Sequence, residues 1–201
     1  MDAWDELDEP WRAALELAWE AYLAGTIPVG SVVTAADGRI VARGRNRIFE
    51  APGRGVAGSR LAHAEVEALS QLPATEHYRD HVLYSALEPC LLCTAATLLS
   101  TVGRIEYAAI DPFGGACNGT IDTAHWQRSA PEIALPLGGW AGRLSAALQG
   151  AFWLAHLEQR RAAEILDAFG AESRRAGERV LALDDTATRL EDALPRLLDC
   201  L

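Results

Sequence analysis

The pattern of hydrophobic and polar positions predicts an amphipathic helix followed by a strand pair at the start of the chain. Residues 11–24 place their apolar side chains on one side of a helix, with Pro10 before it and Gly25 after it. Residues 29–45 form two apolar, β-branched or alternating runs around the turn sequence Asp37-Gly38. This pattern predicts an antiparallel hairpin.

Helices and strands alternate after this hairpin. A loop rich in Gly, Pro and Arg covers residues 46–61 and has the length of a functional loop such as a lid. The predicted elements that follow are a helix at 62–72, a strand at 81–87, a helix from Pro89 to about residue 100 and a strand at 104–110. Strands joined through helices run parallel, so this order predicts an α/β fold with the hairpin at one edge.

The C-terminal third changes character. Residues 111–142 contain many Gly and Pro residues and are predicted to be irregular, whereas the apolar spacing from residue 143 onward is helical. We expect one helical region up to Phe169-Gly170 and another over 171–201, broken near Asp184-Asp185. The predicted organisation is therefore a domain at 1–142 and a C-terminal helical extension at 143–201, packed on that domain or on a dimer partner.

Composition narrows the possible functions. The 201 residues are 50% hydrophobic, carry a net charge of −10, and have only arginine among their 18 basic residues. The absence of lysine excludes a Schiff base or a P-loop lysine, and the acidic balance disfavours a broad nucleic-acid surface. Because the N-terminus resembles no signal peptide and no apolar run reaches about 20 residues, we expect a cytoplasmic protein without membrane contact.

Candidate chemistry is concentrated in His63-Ala64-Glu65 and Cys90-Leu-Leu-Cys93. One histidine and two cysteines can bind one zinc ion per chain and leave a fourth position for water. Pro89 suits the first helical position, which would put both cysteines in the first turn of a helix. Zinc-bound water becomes a hydroxide nucleophile near neutral pH, and Glu65 is positioned to shuttle protons.

These motifs resemble the cytidine/deoxycytidylate deaminase superfamily, and within it the branch of tRNA adenosine deaminases and guanine deaminases. The matching blocks span roughly residues 8–115 and are Ile27-Pro28-Val29-Gly30, Gly44-Arg45-Asn46, Ala62-His63-Ala64-Glu65, Leu83-Tyr84, Leu87-Glu88-Pro89-Cys90-Leu91-Leu92-Cys93 and Gly103-Arg104-Ile105. The resemblance implies a three-layer αβα sandwich with a mixed five-stranded sheet, and a homodimer. It also implies zinc bound by His63, Cys90 and Cys93, catalysis by Glu65, and base contacts from Asn46, Ile27 and the Ala64 amide.

The leading functional hypothesis is zinc-dependent hydrolytic deamination of a nucleobase, nucleoside or related small aminated heterocycle. Asp111 and Phe113, which follow the last clear strand, are further candidates for contact with that substrate. Deamination of adenosine in tRNA is the alternative, but Leu92 and Thr94-Ala95-Ala96 differ from the Met and Ala-Gly-Ala of the tRNA enzymes, so RNA is the less favoured partner. A second alternative is a catalytically idle, zinc-stabilised interaction module, against which an intact Glu65 argues.

Overall fold

A five-stranded mixed sheet forms the centre of the protein. The computed structural model describes residues 3–117, 119, 122–183 and 187–201, so the predicted helix break at Asp184-Asp185 lies outside the described residues. The strands are β1 (Gly30–Thr34), β2 (Ile40–Arg45), β3 (Val82–Leu87), β4 (Arg104–Ala109) and β5 (Glu132–Ile133). Their order across the sheet is β2-β1-β3-β4-β5.

Strand β1 runs opposite to the other four strands of this sheet. Strand β1 is antiparallel to both β2 and β3, while β3, β4 and β5 are parallel to one another. The predicted edge hairpin and the parallel strands joined by helices are therefore confirmed. Strand β5 was missed, because its two residues lie in a segment predicted to be irregular and are too few to show a period. It forms only by pairing with the start of β4.

Seven α-helices surround the sheet in the described part of the chain. They are α1 (Glu9–Leu23), α2 (Ala64–Leu69), α3 (Leu91–Leu99), α4 (Ala124–Ser129), α5 (Gly139–Ala155), α6 (Ala162–Ala182) and α7 (Leu190–Leu198), preceded by a 3-10 turn at Ala3–Glu6. None of the described helices has the combination of length and hydropathy needed to cross a membrane.

Two apolar clusters place these helices on opposite faces of the sheet. One cluster joins Leu15 and Trp19 of α1 to Leu148 of α5 and Leu194 of α7. The other packs Leu69 of α2 and strand residues such as Leu83 and Ile105 under Ala96 of α3. The result is a three-layer αβα sandwich with added C-terminal helices, which confirms the predicted fold class.

The start of α3 differs from the prediction. Cys90 has extended dihedral angles (φ −72°, ψ 176°) and is the N-cap, so Pro89 stands before the cap and not at the first helical position. Only Cys93 lies in the first turn. The prediction erred because a proline is compatible with an extended segment as well as with a first turn.

The packing of α2 on β2 leaves no room for a side chain at Gly44. A Cβ atom there would lie 2.2 Å from the carbonyl oxygen of Ala64 and 2.6 Å from the backbone nitrogen of Ala68. Both are main-chain atoms of α2, which cannot move aside without moving the helix. This close approach determines where the residues at the start of α2 stand relative to the sheet.

Gly44→Ala is expected to lower the free energy of unfolding by about 1–3 kcal/mol, because it overpacks a close backbone contact. Urea denaturation followed by circular dichroism measures this change. Gly53→Ala is the matched control, since a Cβ at Gly53 would meet its nearest atom at an ordinary 3.7 Å. Equal stability of the two variants would contradict the packing described here.

Candidate metal centre

Two helix N-termini bring the predicted metal ligands together. His63 is the N-cap of α2, and Cys90 is the N-cap of α3, with Cys93 one turn further along. Helix α3 follows the carboxyl end of β3 through Glu88 and Pro89. The site therefore lies at the carboxyl end of a parallel strand, where ligands bind in open α/β sheets.

The spacing of the three ligand atoms fits a tetrahedral metal. His63 Nδ1 lies 3.6 Å from Cys90 Sγ and 3.5 Å from Cys93 Sγ, and the two sulfurs are 3.6 Å apart. With ordinary zinc bond lengths, tetrahedral geometry requires about 3.6 Å between nitrogen and sulfur and about 3.8 Å between two sulfurs. Among the described residues, this trio is the group of His, Cys, Asp and Glu side chains close enough to bind a metal ion.

The protonation equilibria of the two thiols also suit a cation. Hydrogen bonds from Cys93 and His63 lower the pKa of Cys90 to about 4 against the opposing effect of burial. The hydrogen bond to Cys90 and burial raise the pKa of Cys93. Because a thiol that coordinates zinc is deprotonated outright, a divalent cation would take the place of the proton between the two sulfurs.

Glu65 is a buried carboxyl group beside these ligands. Its side chain is 3% exposed, and burial raises its pKa. The Ser85 hydroxyl donates a hydrogen bond of 3.1 Å to Glu65 Oε1, and the Cys93 sulfur lies 3.2 Å from Glu65 Oε2. A buried carboxyl group with a raised pKa next to a metal position is a candidate for general acid–base catalysis.

His63 and Cys90 of the metal trio, together with Glu65, border a cavity of about 120 Å³, and Cys93 lies buried behind them. Four of the predicted substrate-contact residues line it, namely Ile27, Asn46, Asp111 and Phe113. Ala64, the fifth, is fully buried at the start of α2 and is not among the lining side chains.

Two of the predicted substrate-contact residues, Asn46 and Asp111, make hydrogen bonds that fix their orientation in the cavity wall. Asn46 Oδ1 accepts hydrogen bonds from the Thr26 hydroxyl (2.9 Å) and the Ile48 amide (3.1 Å), so its amide nitrogen remains available. Asp111 Oδ1 accepts from the backbone amides of Phe113 and Gly114, each at 2.9 Å. We therefore expect Asn46 to contact a ligand directly and Asp111 to organise the loop around it.

The sequence did not predict seven other residues that line the same cavity. These are Val29 before β1, Leu87 at the end of β3, Glu88 before α3, Gln149 and Trp153 of α5, and Ile165 and Phe169 of α6. Gln149 left a signal, because it interrupts the apolar stripe of its helix and yet is only 2% exposed. Glu88 accepts hydrogen bonds from the Asp111 and Cys117 amides, and burial raises its pKa.

Comparison with known families gives one match that covers just over half of the chain. The model described as the cytidine and deoxycytidylate deaminase zinc-binding region matches residues 5–109. This stretch contains every predicted metal ligand and Glu65. It ends at the last residue of β4, before α4, α5, α6 and α7.

Curated relatives share this region. The tRNA(Ile)-lysidine synthase of Deinococcus radiodurans is 39% identical over 127 residues, which are 61% of this chain and 21% of that protein. The tRNA-specific adenosine deaminase of Bacillus subtilis is 36% identical over 114 residues, which are 55% of this chain and 65% of that protein. The chain thus spans less than two thirds of the length of both relatives.

Solved structures show the same fold. A tRNA:A34 deaminase, studied for A-to-I editing at the tRNA wobble position, superposes with a TM-score of 0.52 and 31% identity, covering 63% of this chain and 94% of its own. The guanine deaminase of Nitrosomonas europaea gives a TM-score of 0.52 at 22% identity, covering 71% of this chain and 83% of its own. The second likeness concerns the fold alone.

We expect the purified protein to contain one zinc ion per chain and Cys93→Ala to lose it, because two ligands cannot complete a tetrahedral site. Elemental analysis measures the metal, and chelation of the wild-type protein should lower its melting temperature. Cys200→Ala is the control, since Cys200 is a buried thiol that donates a hydrogen bond to the Arg196 carbonyl and does not belong to the trio. Full zinc content in Cys93→Ala would refute this ligand set.

Proposed function

The chain belongs to the cytidine and deoxycytidylate deaminase zinc-binding family, and on that premise we propose that it hydrolytically deaminates a nucleobase, nucleoside or related small aminated heterocycle. The observation that carries the proposal is the tetrahedral spacing of His63, Cys90 and Cys93 with the buried Glu65 carboxyl group beside them. The reaction replaces an amino group on a ring carbon by an oxo group and releases ammonia.

Glu65 has the central role among the protein groups in this mechanism. Zinc bound by the trio supplies Lewis-acid activation of water for attack on the ring carbon. Glu65 would take the first proton of the water and pass it to a ring nitrogen, and would then carry the second proton, released as the oxo group forms, to the leaving amine. Its burial supports both transfers, because a raised pKa makes the carboxyl group a better proton acceptor than an exposed one.

Ser85 is a positioning residue in this proposal. Its hydroxyl is fully buried on β3 and donates to Glu65 Oε1, which restrains the rotation of the carboxyl group. Asn46 also lines the cavity, with its amide oriented by Thr26 and Ile48. The substrate therefore enters between groups that are already oriented.

The charges around the cavity favour a small neutral substrate over a polynucleotide. Glu65, Glu88 and Asp111 line it, and none of the described lining residues is an arginine. Deamination of adenosine in tRNA is the second candidate, and the names of the tRNA-specific relatives favour it. Both candidates use the same metal trio and Glu65, so a substrate panel separates them.

We also propose the wider organisation that the sequence suggested. Residues 1–142 would form the zinc domain and residues 143–201 its helical extension, within a homodimer that acts in the cytoplasm. The packing of α5 against β3, β4 and α1 of the same chain supports an extension that is integral to the domain.

Zinc-loaded protein is expected to release ammonia from at least one member of a panel of bases, nucleosides, nucleotides and tRNA transcripts. Glu65→Ala should lower kcat by about 10²–10⁴-fold with zinc retained, because it removes the proton shuttle. Glu67→Ala, on the same helix but outside the cavity, is the control. The proposal fails if no panel member is turned over, or if Glu65→Ala remains as active as the control.

Ser85→Ala is expected to lower kcat about fivefold with little change in KM, the loss expected for one hydrogen bond to the catalytic carboxyl group. Ser85→Thr keeps the hydroxyl and should restore most of the rate. Ser31→Ala is the control, because Ser31 pairs with Ser85 across the strands but donates to the Tyr84 carbonyl. Equal kcat values for Ser85→Ala and Ser31→Ala would exclude the positioning role.

A further inference from the structure

The cavity beside the metal trio has a roof that comes entirely from the C-terminal helices. Helix α5 contributes Gln149 and Trp153, and helix α6 contributes Ile165 and Phe169. All four lie beyond residue 109, where the match to the deaminase family ends. The roof therefore lies outside the family-matched region and is available to determine which substrates enter.

Helix α6 is broken at Gly170, directly after the last roof residue, Phe169. Gly170, which follows Phe169, has dihedral angles of φ 82° and ψ 175°, outside the helical region. A positive φ of this kind is accessible to glycine and strained for other residues. Helix α6 thus changes direction immediately after Phe169, which lines the cavity, while Val180 of its second half is buried in the cluster with Leu148 of α5.

The orientation of the Gln149 amide is determined by its two partners. Trp153 Nε1 can only donate, and it lies 3.2 Å from Gln149 Oε1. The Pro28 carbonyl can only accept, and it lies 3.2 Å from Gln149 Nε2. The oxygen and nitrogen of this amide are therefore distinguished by chemistry, which is not the case for most glutamines.

Among the residues that the structure describes, this arrangement leaves one N–H of Gln149 without an acceptor. An amide nitrogen carries two donors, and the bond to Pro28 uses one of them. The residue is 2% exposed and lines the cavity, so a ligand in the cavity is the natural acceptor for the second. A buried donor that stays unsatisfied is unfavourable by about 1–3 kcal/mol, which gives a matching ligand a corresponding advantage.

The rest of the roof restricts the size and charge of that ligand. Trp153, Ile165 and Phe169 are large apolar side chains over a cavity of only about 120 Å³. Asp111 and Glu88 add acidic groups to the lining, and the described lining residues include no arginine, so a phosphate would meet repulsion without an arginine partner. These features suit a flat, uncharged ring without a sugar phosphate.

We infer that Gln149 is a specificity-determining residue that donates a hydrogen bond to the oxo group of a free amino-oxo heterocycle, and that the α5–α6 roof excludes nucleotides and RNA. A carbonyl oxygen offers two lone pairs and is the acceptor on such a ring that best meets a fixed N–H. This inference rests on the proposed deaminase function and specifies its substrate class.

The first test measures binding to zinc-loaded Glu65→Ala protein, so that no turnover is required. Calorimetry compares cytosine with 4-aminopyrimidine and guanine with 2-aminopurine, pairs that differ by the oxo group. At least one oxo base should bind at least fivefold more tightly than the base without the oxo group. Adding Gln149→Leu should bring the ratio of the two dissociation constants to about one. Gln71→Leu, an exposed glutamine outside the cavity, should leave the ratio unchanged.

The second test widens the roof and leaves Gln149 in place. It therefore tests the inference even if the Gln149→Leu protein fails to fold. The Glu65→Ala protein should bind free bases at least tenfold more tightly than their nucleosides and should bind no 5′-monophosphate. Adding Phe169→Ala should reduce the preference for base over nucleoside at least fivefold. Leu181→Ala, an exposed change on the far half of α6, should not alter it.

The outcomes separate this inference from the function beneath it. If nucleosides or nucleotides bind as tightly as bases, or if the oxo preference is absent or survives Gln149→Leu, the inference is wrong while deamination stands. If the zinc-loaded protein neither binds nor turns over any of the compounds, both this inference and the proposed deaminase function are wrong. Zinc content and melting temperature, measured for every variant, show that each comparison is made on folded, loaded protein.

Discussion

The whole site depends on the meeting of two helix N-termini at one point above the sheet. His63 caps α2 and Cys90 caps α3, and their ligand atoms lie within 3.6 Å of each other although the residues are 27 positions apart in sequence. The approach of α2 to β2 at Gly44 and the exit of α3 from β3 determine this distance. Small shifts of either helix would therefore change the metal geometry before they changed the fold.

Burial gives the site its second property, a carboxyl group whose pKa lies above its ordinary value. Glu65 is 3% exposed and has a raised pKa, an unfavourable environment for a charged group that the fold stabilises elsewhere. The Ser85 hydroxyl satisfies one of its oxygens without adding a charge. The energetic strain of burying Glu65 is thus linked to the proton transfers that deamination requires.

Local motifs made the fold and the centre of the site predictable, whereas long-range packing made the rest unpredictable. His63, Glu65, Cys90 and Cys93 lie in short motifs whose spacing carries the chemistry. Gln149, by contrast, is oriented by a hydrogen bond to the carbonyl of Pro28, which is 121 positions away. Strand β5 likewise exists only through its pairing with β4. The substrate end of the cavity was missed because helices α5 and α6 provide it, and no local pattern says which face of a helix covers a distant site.

X-ray absorption at the zinc edge of the loaded protein tests the central claim most directly, since it reports the atoms around the metal without any assumption about substrate. We expect two sulfur neighbours at about 2.3 Å and two nitrogen or oxygen neighbours at about 2.0–2.2 Å, one from His63 and one from the open position. Four sulfur neighbours, or none, would contradict it.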